Sequence, residues 1–250
     1  DSTLENLFLR ISLVPDLLDF DTVKSDFGQF QKNLGIIIWD QTTLPQLRLL
    51  SPLEEGKVDF WVRVKTDFPV NLRNPLARIQ IDLSRAREEI TTKVNSKLIL
   101  SQRGFFNQGP FQNTGSIPPQ VGATTSYTIS WQSRSLYNDL RNTKVKAFLP
   151  SQARLTGEVL PKEAKFSFDP ASREIVWEIG DLFAGESGSE IQFQIAFTPS
   201  SDQRGETPLI NSEAKINGED NWTEKILEIT SPGLETTIPD EPTINEQQVI

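Results

Sequence analysis

Carboxylates are the reactive chemistry this sequence has to offer. Asp16, Asp19 and Asp21 lie close together, and so do Asn217, Glu219 and Asp220. Two paired carboxylates can divide general acid and general base work between them, as in glycoside hydrolysis. Clustered acidic oxygens can instead hold calcium, a hard cation that takes six to eight of them. Neither run has the EF-hand ligand spacing. Acidic residues beside Asn and Gly also mark solvated turns. Calcium is the cofactor these loops would admit, and none is otherwise called for. A second candidate surface is the run Gly104-Phe105-Phe106-Asn107-Gln108-Gly109-Pro110-Phe111. There, Phe105, Phe106 and Phe111 stand beside Gly and Pro in the manner of an exposed contact patch. The favoured alternative is a hairpin whose rings cap the sandwich or pack between domains.

The remaining chemistry is excluded by composition. Among 250 residues there is no Cys and no His. That removes disulfide frameworks, thiol nucleophiles, cysteine zinc sites and every Ser-His-Asp triad. Lys and Arg number 25 against 34 Asp and Glu, a net charge of -9, the wrong sign for a phosphate backbone. The longest apolar run, Ile36–Trp39, is far too short to span a membrane. No nucleic acid and no membrane contact by this segment is therefore expected. The sequence Asn221-Trp222-Thr223 is a sequon that matters only in a eukaryotic secretory setting.

The elements that must position these groups read as strands. Period-two alternation runs through Leu7, Leu9, Ile11 and Leu13, through Val58, Phe60, Val62 and Val64, and through Ile79, Ile81 and Leu83. It returns at Tyr127, Ile129 and Trp131, at Val145, Ala147 and Leu149, and at Ile191, Phe193, Ile195 and Phe197. Turn formers separate the runs. Ser84–Ile90 alone has a locally helical look. The class is all-β.

An internal repeat organises the strands. LGIIIWDQTTLPQLRLLSPLEEGKVDFWVRV (34–64) and REIVWEIGDLFAGESGSEIQFQIAF (173–197) share an apolar strand ending in Trp, an acidic-glycine turn and an alternating strand. The match reaches upstream, with LRISLVP (9–15) set against KVKAFLP (144–150) by their prolines. IPPQVGATTSYTISW (117–131) precedes the second copy and has no counterpart before the first. The expectation is two tandem Ig-like antiparallel β-sandwiches, over 1–90 and 91–230, the first incomplete at its N-terminus. Its missing strands would come from upstream chain or from a neighbouring molecule. Residues 231–250, acidic and Pro-rich, read as an extended tail.

The run IPPQVGATTSYTISW, with VKAFLP, REIVWEIGDLFAGESG and EIQFQIAFTPS after it, resembles the conserved-repeat Ig-like domains of prokaryotic surface proteins, a domain family of unknown function. The opening V-G-x-x-x-x-Y-x-I is met by Val121-Gly122 through Tyr127-Thr128-Ile129. TTKVNSKLIL (91–100) and TTIPDEP (236–242) resemble recurring elements of repeat-bearing surface proteins of candidate-phyla bacteria. The resemblance implies an extracellular, cell-surface location, anchored through a segment outside this chain, and no catalytic activity. It implies a spacer or stalk, whose partners are neighbouring domains of the same polypeptide, other copies of the chain or a cell-surface ligand. An adhesin using the aromatic loop, or an accessory domain of a larger secreted enzyme, are the alternatives. A Lys–Asn isopeptide crosslink would require Lys93 or Lys97 to be buried with Asn211 or Asn217 and an acid.

Overall fold

The computed structural model describes residues 3–69, 71–241 and 248–250. The chain divides into two compact units, Asp1–Val94 and Asn95–Ile250.

Unit 2 contains strands β10 to β20, counted after the nine of unit 1. They are β10 (Leu98–Phe105), β11 (Thr125–Ser135), β12 (Leu140–Phe148), β13 (Ala153–Leu160), β14 (Lys165–Phe168) and β15 (Glu174–Leu182), followed by β16 (Ser189–Phe197), β17 (Leu209–Asn211), β18 (Ala214–Asp220), β19 (Ile226–Ser231) and β20 (Leu234–Glu235). One sheet has the order β10-β11-β16-β13 and the other β14-β15-β12-β18-β19, all antiparallel. Taking β10, β11, β12, β13, β16, β18 and β19 as strands A to G gives A-B-E-D facing C-F-G. That is the immunoglobulin order, with the β14–β15 hairpin added beside C. The two inner faces meet in one core that includes Tyr127, Ile129, Trp131, Val145, Phe193 and Ile216, all fully buried. Trp131 sets its ring edge-on to Phe193 at 5.0 Å between centroids.

Unit 1 contains β1 (Leu4–Glu5), β2 (Leu9–Leu13), β3 (Leu18–Ser25), β4 (Gln29–Gln31) and β5 (Ile36–Trp39), then β6 (Leu49–Leu50), β7 (Phe60–Val64), β8 (Leu76–Leu83) and β9 (Ala86–Lys93). Its large sheet has the order β4-β5-β2-β8-β9, and β3 pairs with β7. Strand for strand, this is β14-β15-β12-β18-β19 and β13-β16 again. What unit 1 lacks among the described residues is any counterpart of β10 and β11. Even an irregularity recurs: β3–β7 shifts register after Asp19, and β13–β16 after Leu155.

The pairing partners fix the correspondence and correct the proline-anchored alignment. Leu9 pairs with Trp39 and Val145 with Trp177, so Leu9 matches Val145, Ile11 matches Ala147 and Leu13 matches Leu149. In the proline-anchored alignment Leu9 faces Lys144, a slip that would turn the strand's buried face outward. Val14 is the extra residue that reconciles strand and proline.

Two further expectations are corrected. Ser84–Ile90 is a hairpin bend and strand, not a helical turn. Ser84 adopts a positive φ of 51°, and β9 pairs along the whole of β8. All eight residues of β9 are exposed, so no apolar periodicity marks it as a strand. The described part of the C-terminal stretch is not a free tail either: β20 pairs with β17, Ile238 and Glu241 are fully buried and Val249 is nearly so, while 242–247 lie outside the described residues.

Candidate functional site

The acidic candidates do not converge. On β18, Ile216, Gly218 and Asp220 face inward, so Asn217 and Glu219 point to the opposite side of the sheet. The Asp220 carboxylate, fully buried, is occupied by donors. Oδ2 accepts from Ser96 N at 2.8 Å and Asn138 Nδ2 at 2.7 Å, and Oδ1 accepts from Trp222 N at 2.8 Å and Thr223 N at 3.1 Å. Glu219 pairs with Arg141, whose hydrogen bond holds the carboxyl below its ordinary pKa. In unit 1, Asp16 lies in the turn after β2, Asp19 Oδ1 accepts from Asp21 N at 3.1 Å, and Asp21 pairs with Lys32. Among the described residues no group of three or more acidic side chains is placed to hold a metal ion.

The aromatic loop is anchored rather than presented. Phe105 ends β10 opposite Thr128, and Phe106 packs onto the core with its ring edge-on to Tyr127 at 6.3 Å. Phe111 is half-buried. The Glu241 carboxylate accepts from Phe106 N and from Asn107 N, the latter at 2.8 Å. Asn113 Nδ2 donates to Phe106 O at 2.9 Å. Lys93 and Lys97 are exposed while Asn211 is buried, an arrangement that does not assemble a crosslink.

A second densely bonded side chain in unit 2, which no motif or spacing singles out, is Gln102. Its Oε1 accepts from Trp131 Nε1 at 2.6 Å and Asn211 Nδ2 at 2.7 Å. Its Nε2 donates to Ser212 O at 2.9 Å and Pro232 O at 2.8 Å, and its backbone N donates to Ser231 Oγ at 3.2 Å. The amide thus uses both donors and both acceptor positions. Gln102, Ser96 and the Phe106–Asn107 amides all belong to the first stretch of unit 2. Their partners at 211–212, 220, 231–232 and 241 all belong to its last. Three separate side-chain ties therefore bind the beginning of unit 2 to its end. Only the inward alternation of Leu98 and Leu100, which places Gln102 on the same face, hinted at this.

Unit 1 offers a different feature, an unfinished flank. Lys65 N donates to Leu17 O and Thr198 N to Gln152 O, which aligns β7 with β16. Val58, just ahead of β7, then matches Ile191, while Phe60, Val62 and Val64 match Phe193, Ile195 and Phe197. All four unit 2 residues are fully buried. Val58, Phe60 and Val62 are half-buried and Val64 is exposed. In unit 2 the cover is β11, which pairs Trp131 with Ile191, Ile129 with Phe193, Tyr127 with Ile195 and Thr125 with Phe197. Among the described residues no strand pairs with the corresponding edge of β7. Beside it opens an apolar groove of about 400 Å³, lined in part by Leu9, Leu44, Leu50, Val58, Ile81 and Leu83.

Comparison with known proteins gives partial structural likenesses. No protein-family model and no curated protein matches the sequence. Among solved structures, the C-terminal domain of the antigen I/II-family protein AspA from Streptococcus pyogenes is similar at 10% identity and a TM-score of 0.35, over 91% of this chain and 84% of that one. BcpA, the major pilin subunit of Bacillus cereus, is similar at 8% identity and a TM-score of 0.38, over 93% of this chain and 64% of the pilin. The mu homology domain of Danio rerio Fcho1 with bound Eps15 peptide is similar at 10% identity and a TM-score of 0.34, over 91% and 71%. The Ig-like class itself stands on the strand order within this chain.

Proposed function

We propose that the chain is a non-catalytic structural region of a bacterial cell-surface protein, a spacer or stalk segment that carries tension between what lies on either side of it. The resemblance of 117–131 and its following strands to conserved-repeat surface domains supports the setting. The observation that carries the mechanical reading is the tie between first and last segments of unit 2. Tension entering at Asn95 pulls on β10, and Gln102, Asp220 and Glu241 hold that stretch to residues 211–241 by buried and part-buried hydrogen bonds that must break together. Charged groups elsewhere are spent on local pairs such as Lys146–Glu174 and Lys215–Glu228, which fits architecture rather than catalysis. The adhesive alternative draws less support, because Phe106 is turned into the core.

Single-molecule pulling from the two ends of the chain tests this. Unit 2, identified by the longer extension it releases, is expected to unfold last and at the higher force. Gln102→Ala is expected to lower that force while leaving the unit 1 event unchanged. A unit 2 that yields before unit 1, or is indifferent to Gln102, overturns the tension-bearing reading.

A further inference from the structure

The unfinished flank of unit 1 has a shape that the chain itself identifies. Unit 2 shows what the same surface receives when complete: an antiparallel strand, β11, whose residues at 125, 127, 129 and 131 lie over the places of Val64, Val62, Phe60 and Val58. The groove floor tells the same story, since Leu9, Ile81 and Leu83 hold the positions of Val145, Ala214 and Ile216, all fully buried in unit 2. A glycine adds an independent mark. At Gly188, just before β16, a Cβ would stand 2.1 Å from Ser133 O of β11, so the position tolerates no side chain. The matching residue of unit 1 is Glu55, which is exposed. The backbone entering β7 is therefore free of the approach that β11 makes in unit 2.

We propose that the edge of β7 and the groove beside it are a strand-acceptor site. Its occupant is an extended peptide segment with apolar, partly aromatic side chains at every second residue, running antiparallel to β7. Main-chain hydrogen bonds to β7 supply affinity and the alternate side chains supply selectivity by filling the space over Val58, Phe60 and Val62. Sequences without alternation, or with charges at the positions over Val58, Phe60 and Val62, are excluded by those apolar side chains, whereas Lys57, Arg87 and Glu88 also line the groove.

The test uses the full 250-residue chain and a labelled peptide with the sequence of Thr125–Gln132. The probe stops there because Leu4–Glu5 already pairs with Leu49–Leu50 ahead of the edge. Saturable binding is expected by fluorescence anisotropy. Amides of β7 should exchange at least about tenfold more slowly with peptide than without, while those of β16 stay unchanged. A peptide carrying Asp at the places of Tyr127 and Ile129 should not bind, a control that leaves the protein's folding untouched. On the protein side, Val62→Asp should abolish binding and Trp61→Ala, on the outer face, should preserve it. Three results would each overturn the proposal: no saturable binding to folded monomer, equal binding of the Asp-substituted peptide, or a dimer of the chain that already protects β7. The last would make a second copy the occupant.

Discussion

Val62 and Ile195 occupy the same place in two copies of one sandwich, yet the first is half-buried and the second is fully buried. The strands carrying them, their neighbours in the sheet and even the register irregularity beside them are shared. Two additional strands make the difference. Without them the unit 1 core has nine buried apolar side chains among the described residues, of which Trp39 and Ile37 are fully enclosed, against twenty-two buried in unit 2. The five-stranded sheet and the β3–β7 pair are what the two units share. Closing the core takes β10 and β11. Those two strands also bring in Gln102 and Trp131, so the strands that close the core also carry its principal tie.

Truncating equivalent rings is expected to have the largest and most unequal effects. Phe193→Ala, in a fully packed site, is expected to destabilise unit 2 by about 3–5 kcal/mol in denaturant unfolding. Phe60→Ala, half-buried, should cost unit 1 only about 1–2 kcal/mol. Equal losses would mean that unit 1 is closed after all. Gln102→Ala leaves Trp131 Nε1 and Asn211 Nδ2 without their acceptor in the interior. A loss of about 3 kcal/mol, confined to the unit 2 transition, is expected.

Carboxyl groups in both units are held below their ordinary pKa, Asp169, Asp202 and Glu219 in unit 2 and, by the larger shift, Asp82 in unit 1. Hydrogen bonds from Arg10 and Arg87, with a further one from Gln80, hold Asp82 well below the ordinary carboxylate pKa. The matching residue on β18 is Lys215. Because the folded pKa is depressed, this contribution to stability is complete above the ordinary aspartate value of 3.8 and is lost as pH falls towards the folded value. Thermal scans between neutral pH and strong acid should show unit 1 losing stability over that range, and Asp82→Asn should flatten the dependence. The smallest effect is a gain. The Tyr127 hydroxyl is buried without a hydrogen-bond partner, and burial pushes its pKa up. Tyr127→Phe should stabilise unit 2 by up to about 1 kcal/mol in the same unfolding assay.

The all-β class, the two copies and the short start of the first were legible because buried faces repeat at period two, and Val58–Val64 and Ile191–Phe197 display that pattern in register. Legibility failed where burial does not follow a strand face. Every residue of β9 is exposed, so its charged sequence looked helical. The C-terminal stretch is held by single insertions, Leu234, Ile238 and Glu241, which have no period to detect. The site was least legible of all. Composition placed Asp220 among solvated turn residues, whereas strand parity turns it inward to four donors, and Gln102 looks like any polar residue until Trp131, Asn211, Ser212 and Pro232 are folded around it.

The claim that the two units are one sandwich, differing by a strand pair that leaves β7 open, is tested most directly by residue-resolved amide hydrogen exchange on the monomeric chain. β16 amides are expected to exchange only through global opening of unit 2, while β7 amides on the side away from β3 exchange orders of magnitude faster. Protection of those β7 amides equal to that of β16, in a chain shown to be monomeric, would contradict it.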